Sequence, residues 1–416
     1  MRLLTVILLS CVFCALSAQN ELSLPECAVV DSNMLRMPAG VAPQMERFFD
    51  KLDSVLLFGK GRVNILHIGG SHVQADFYTN VLRVNIDSLN AGLQPPRGFL
   101  FPYSVAKTNN PSNYRVRYGG EWAAARNALR QFFPSQGLSG INISTSDTSA
   151  WFSICLNRKN TSRWTTNKVH LLARSLHQRC TPYLIVGESE VVEPEQEETG
   201  FCFTLPHNVD SFCVRLRYDK LQQLGPDTMV VRGIYADNDE PGIVYNSIGV
   251  NGASVPSYLG CADFVGDLSL VKPDLVVFAI GINDAADKNF TDSVFCANYD
   301  KLIANIRSVS PECALIFITN NDSYKRIRRQ YRVNENGLVA RQAFYQLATK
   351  WQAGVWDLFE IMGGLKSMAE WETAGLAARD KIHFTVQGYE IIGKLFFDAL
   401  LGSYLDYDIK SDPYDY

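Results

Sequence analysis

Short apolar runs that lead into helical patterns open and close this chain, and a different rhythm fills its middle. The run Val63-Asn-Ile-Leu-His-Ile68 ends in Gly69-Gly70 and is followed by a helix-period stretch from Val73 to Leu89. Further apolar runs follow at Ile243–Asn246, Asp274–Gly281, Ala314–Thr319 and Gly354–Asp357, and Val386–Leu400 reads as a closing helix. Strands alternating with helices predict an α/β fold whose parallel sheet is covered on both faces. The middle holds Ile141–Thr145, Trp151–Cys155, Lys168–Leu172, Tyr183–Val186, Phe201–Thr204, Phe212–Leu216 and Met229–Tyr235. These are short β-type segments divided by Asn, Ser, Gly, Pro and acidic turns, and they predict an all-β sandwich inserted into the α/β domain. The acidic run Glu188–Glu198 reads as a solvated loop, and Lys325–Arg329 as a solvated helix face.

The expected division is a signal peptide over 1–18, an α/β part over 19–108, the insert over 109–239, a second α/β part over 240–403, and a mobile acidic tail over 404–416. The leader rests on Arg2, the apolar run after it, and the small residues Ala15, Ser17 and Ala18. It is short for a membrane span, so the expected location is periplasmic or secreted, with no stable span in the mature chain. A net charge of −4 leaves no electrostatic footprint for nucleic acid. Cys11 and Cys14 fall in the leader, which leaves eight cysteines that are either disulfide-bonded or simply buried. Cys202 and Cys213 could meet across a hairpin. No His/Cys cluster has metal-ligand spacing along the chain, so neither metal nor cofactor is expected.

Four short motifs stand at strand ends or in the last loop. Ser71 follows Gly69-Gly70 where a strand turns into a helix, a place where open α/β sheets bind ligands and free N–H groups meet anions. Gly249-Val-Asn-Gly252 offers backbone N–H groups in a tight loop. Asn283, in Gly281-Ile-Asn-Asp284, can aim its amide at an oxyanion. Asp380 and His383, three apart in a turn, can face the same way, the carboxylate holding the tautomer of a proton-accepting imidazole. Each has a plain structural reading as a turn or a cap; together they occur in the order Ser, Gly, Asn, Asp-x-x-His. His72 reads as structural or substrate-facing, His67 as a core residue, and Thr319-Asn-Asn-Asp322 as cleft lining. Trp151 and Trp164 read as core packing, with sugar stacking as the other use.

In these motifs the sequence resembles the SGNH hydrolases, a branch of the GDSL family. The resemblance implies a three-layer α/β/α fold. It makes Ser71 the nucleophile, Asp380 and His383 the rest of the triad, and Ser71, Gly252 and Asn283 the oxyanion hole. Gly70 stands where the family usually has Asp, a residue that is not the triad's proton acceptor. The stretch Gly69–Asp76 also resembles the bacterial peptidoglycan O-acetylesterases, which can carry a carbohydrate-binding β-sandwich between the first two motifs. That implies a serine esterase removing O-acetyl groups from an acetylated polysaccharide, above all peptidoglycan. The same site could instead transfer acetyl to a sugar hydroxyl. A degenerate, non-catalytic glycan binder is the other alternative, with Gly70 as its support. Because the insert donates none of the four motifs, it is expected to serve polymer binding and to be dispensable for small esters.

Overall fold

The computed structural model describes residues 24–89, 92–129, 136–158, 163–218 and 225–411, without the side chains of 408–411. The expected leader lies outside the described residues.

The α/β part is built on a six-stranded sheet in the order Leu35–Arg36, Gly354–Trp356, Ala314–Ile318, Leu275–Ala279, Arg62–Gly69, Gly242–Gly249. All neighbours are parallel except the first pair. The strand Arg62–Gly69 therefore lies between the next two parallel strands of the chain. The order reverses there, and this switch point opens a crevice at the C-terminal edge of the sheet. One face carries the helices Pro43–Phe58, Tyr78–Leu89 and the long closing helix Val386–Ser411, packed on Val63, Ile65, Tyr245 and Val277. The other face packs Leu66, Ile68, Val276 and Phe278 against the helix Asp292–Val309 and its neighbours. Helix ends follow local chemistry. Pro43 starts the first helix, and Gly59, at φ +60°, ends it. The Thr291 side chain accepts from the Val294 N–H to start Asp292–Val309. Among the described residues no helix is long and apolar enough to cross a membrane.

The middle of the chain forms two antiparallel sheets face to face. One runs Glu190–Val192, Cys180–Val186, Ser211–Tyr218, Trp151–Cys155, Arg115–Gly119. The other runs Glu195–Gln196, Phe201–Val209, Thr166–Ser175, Met229–Asp237, Ile141–Thr145, Ala123–Arg126. The strand Gly98–Leu100 joins this second sheet beside Met229–Asp237. The second sheet lies against the α/β part, and its core is not separate. Phe152, Phe203 and Val231 belong to the same buried cluster as Ile68, Phe278 and Phe317. A buried ion pair crosses the seam, with Arg232 Nη2 2.8 Å from Asp267 Oδ1.

Several expectations change. The acidic run Glu188–Glu198 is not all loop, since Glu190–Val192 and Glu195–Gln196 pair as edge strands. Lys325–Arg329 belongs to a hairpin, Tyr324–Ile327 with Gln330–Val333, turned through Arg328 and Arg329 at positive φ. The expected tail from residue 404 begins as helix: Tyr404 donates to Asp53 and Tyr407 to Asp50, so the closing helix runs to Ser411. All eight cysteines among the described residues are free thiols. Cys202 and Cys213 sit on strands of opposite sheets.

Candidate active site

Three adjacent strands bring three of the motifs together. Arg62–Gly69 ends at Gly70-Ser71, Gly242–Gly249 ends at the Gly252 loop, and Leu275–Ala279 leads to Asn283. The turn at Ser71 needs small residues. A Cβ on Gly69 would come within 2.2 Å of Val73 Cγ2, and Gly252 holds φ +82°. Ser71 then heads a four-residue helix that ends before Asp76, which takes φ +51°.

The last loop comes in from the far end of the chain. Ser71 Oγ lies 2.7 Å from His383 Nε2, and His383 Nδ1 lies 2.7 Å from Asp380 Oδ2. Asp380 Oδ1 also accepts from the backbone N–H groups of Ile382 and His383, each at 3.0 Å. Burial alone would raise the Asp380 pKa. The ring and backbone hydrogen bonds outweigh it and hold the carboxyl well below the usual range. Asn321 Nδ2 donates to the Ile382 carbonyl and fixes the turn from the neighbouring strand end.

Asn283 Nδ2 donates to the Ala253 carbonyl at 2.8 Å, which orients its amide beside the Gly252 loop. A Cβ on Gly70 would sit 3.4 Å from the same Nδ2. The glycine therefore leaves space beside that amide where the family's Asp would stand. Asp284 accepts from the Val255 N–H through both oxygens, and burial pushes its carboxyl up to about 6.

His72 packs beside the triad histidine. Its Nδ1 contacts the Tyr389 hydroxyl at 2.7 Å, and its ring centroid is 5.0 Å from that of His383. Burial, then the neighbouring His383, pushes it down to about 3, so it stays neutral. His67 is a satisfied core residue between the Tyr245 and Tyr78 hydroxyls, and burial likewise lowers it to about 3. Trp164 is buried in the shared core, while Trp151 lies half-buried on the outer sheet under Arg215. Thr319 and Asn320 line a cavity of about 40 Å³ with His72, Ile282, Phe384 and Tyr389. Sequence reading missed Gln74. Its Oε1 accepts from Asn251 N–H at 2.7 Å, and its Nε2 donates to Thr108 Oγ1 and Asn109 Oδ1. It ties the Ser71 helix to the Gly252 loop, a role that the Gly69–Asp76 stretch does not reveal by itself.

Residues 218–391, which hold Gly252, Asn283, Asp380 and His383, match the GDSL-like Lipase/Acylhydrolase family. This part of the chain is a GDSL-like acylhydrolase domain. It places the protein among the carboxylic-ester hydrolases. A solved structure described as a peptidoglycan O-acetylesterase aligns with TM-score 0.71 at 21% identity, over 89% of this chain and 99% of that one. That coverage takes in the sandwich as well as the acylhydrolase domain, and the likeness establishes the fold. Smaller matches include a lipase/acylhydrolase from Enterococcus faecalis, at 24% identity, TM-score 0.30, over 40% of this chain and 78% of that one. Another is an acetyl xylan esterase, at 17% identity, TM-score 0.31, over 39% and 82%. No curated protein matches the chain in sequence.

Proposed function

We propose that this GDSL-like acylhydrolase is an exported serine esterase that removes O-acetyl groups from peptidoglycan. The observation that carries the reading is the hydrogen-bonded line from Ser71 Oγ through His383 to Asp380. Ser71 Oγ attacks the acetyl carbonyl carbon while His383 Nε2 takes its proton. Asp380 holds the Nδ1–H tautomer and stabilises the imidazolium. The backbone N–H groups of Ser71 and Gly252 and the second amide N–H of Asn283 receive the oxyanion. Collapse expels the sugar hydroxyl, which takes the proton from His383. Water, deprotonated by His383, then attacks acetyl-Ser71; collapse expels Ser71 Oγ, which takes that proton back from His383, and acetic acid leaves and ionises in solvent.

The glycan reading is supported by the fold of the peptidoglycan O-acetylesterase neighbour, sandwich included. The leader supports export. The test compares initial rates of acetate release from O-acetylated peptidoglycan, acetylated xylan and a long-chain ester at matched ester concentration. Ser71→Ala serves as the blank. Peptidoglycan should be fastest and the long-chain ester inert. A preference for xylan or the long chain overturns the substrate and leaves the triad standing.

A further inference from the structure

A second cluster of reactive side chains lies away from Ser71, on the sandwich. Strand register makes it. His170 on Thr166–Ser175 stands directly opposite Cys202 on Phe201–Val209, and Cys202 stands opposite Glu195 on the edge strand. Paired residues put their side chains on one face of a sheet, so the three share a face. Beyond Glu195 the chain turns through Glu197–Gly200, closed by hydrogen bonds between the two ends. This turn brings Glu197 back over the same face, with Oε2 2.9 Å from His170 Nδ1. One ligand atom each from His170, Glu197 and Cys202 then lies within 4.8 Å of the other two.

The place is built and not a chance meeting of surface acids. Cys202 is 6% exposed, and the His170 side chain 11%. The Tyr235 ring stands edge-on to His170. Arg232 Nη2 donates to the Thr199 carbonyl, so the turn that carries Glu197 is held by the same guanidinium that pairs with Asp267 across the seam. A thiol, an imidazole and a carboxylate are the donor set of a borderline-soft divalent cation, and hard cations such as magnesium or calcium prefer all-oxygen sites.

We propose that His170, Glu197 and Cys202 bind one zinc-class divalent cation, with water or Glu195 at the fourth position. On binding, the Cys202 thiol releases its proton to solvent. The neutral His170 ring carries its proton on Nε2 and gives Nδ1 to the metal in place of the Glu197 hydrogen bond. The cation clips the Glu195–Val209 hairpin onto the strand Thr166–Ser175. Sequence alone hides the set, because its members are 27 and 5 residues apart and only register joins them.

The test uses the whole mature chain, freed of metal. Cobalt(II) is titrated first, because a thiolate–cobalt bond gives a charge-transfer absorption that oxygen and nitrogen ligands do not. Zinc affinity is then measured by competition with a chromophoric chelator. The expected result is one cation per chain, and a charge-transfer band that is lost in Cys202→Ser and kept in Cys213→Ser. Zinc affinity should fall in His170→Gln by at least the roughly 10–100-fold that loss of even a supporting residue costs. Zinc should raise the wild-type Tm and leave that of Cys202→Ser unchanged. Absence of stoichiometric binding to the folded wild type overturns the proposal whatever the variants do. So does a band that survives Cys202→Ser. Neither result touches the esterase reading, since no step of it uses these residues.

Discussion

Asp380 accepts three hydrogen bonds within its own turn, two from backbone and one from the His383 ring. An Asp-x-x-His spacing is local, and this is why the sequence displays it. An Asp380→Asn side chain can still accept the two backbone bonds, so the turn should persist while the carboxylate that stabilises the imidazolium is gone. Turnover should fall by roughly 10⁴ in a folded protein. Normal turnover in that variant would mean that the carboxylate only shapes the loop. Asn283→Ala should cost about 10²–10³ in kcat with a smaller change in KM, because the oxyanion exists only near the transition state. A raised KM with unchanged kcat would assign Asn283 to ground-state binding. Its neighbour Asp284 was legible only as half of an Asn-Asp pair, since burial, which raises its pKa to about 6, is a tertiary effect. A raised carboxyl pKa means that the folded state binds more protons than the unfolded state between about pH 4 and 6. This residue's contribution to stability therefore falls as pH rises through that window and is level above it. Asp284→Asn should remove this contribution, so the change in Tm from pH 4 to pH 6 should become more positive than in the wild type. An unchanged difference would place the slope elsewhere.

At the scale of elements, the strands that carry apolar alternation were readable, and Ile141–Thr145 and Trp151–Cys155 have the bounds the pattern suggests. The helix after Ser71 was not readable in full. The periodicity from Val73 to Leu89 runs on, yet the chain breaks at Asp76 into Ser71–Gln74 and Tyr78–Leu89. A buried network stabilises the break: Asp76 accepts from Thr79, Arg83 and Asn113. Burial would raise its pKa, and Arg83 and Arg97 more than reverse that. Partners 37 residues away leave no trace in a local pattern. The same holds for Gln74, which joins the Ser71 helix to the Gly252 loop and to Thr108 and Asn109. Gln74→Ala should free that loop and lower kcat by up to about 10², the cost of a misplacement on the order of 1 Å, with KM nearly unchanged. An unaffected kcat would show that the loop holds its shape without Gln74.

For the whole molecule, the sequence suggested an inserted module that could be lifted out, because alternation shows that a strand has a buried side but not what it is buried against. The second sandwich sheet uses both faces, one toward its partner sheet and one toward the α/β part. Hence Ile68 and Phe278 belong to one core with Phe152 and Phe203. A Cβ on Gly252 would lie 3.6 Å from Ala128 Cβ, so the insert also abuts the motif loop. Replacing 109–239 by a linker would uncover this core, and small-ester hydrolysis should be lost along with polymer hydrolysis. A deletion can fail for trivial reasons, so the sharper test is a single atom group at the seam. The side chains of Arg232 and Asp267 are 5% and 1% exposed and bonded twice over. Asp267→Ala leaves the guanidinium buried without its main partner, at a cost of about 3–5 kcal/mol. If the core is shared, that cost falls on the whole molecule. Denaturant unfolding should remain one transition at a lower midpoint, with tryptophan fluorescence and esterase activity lost together. Two separated transitions, with ester hydrolysis persisting after the sandwich has melted, would return the insert to the status of an independent module.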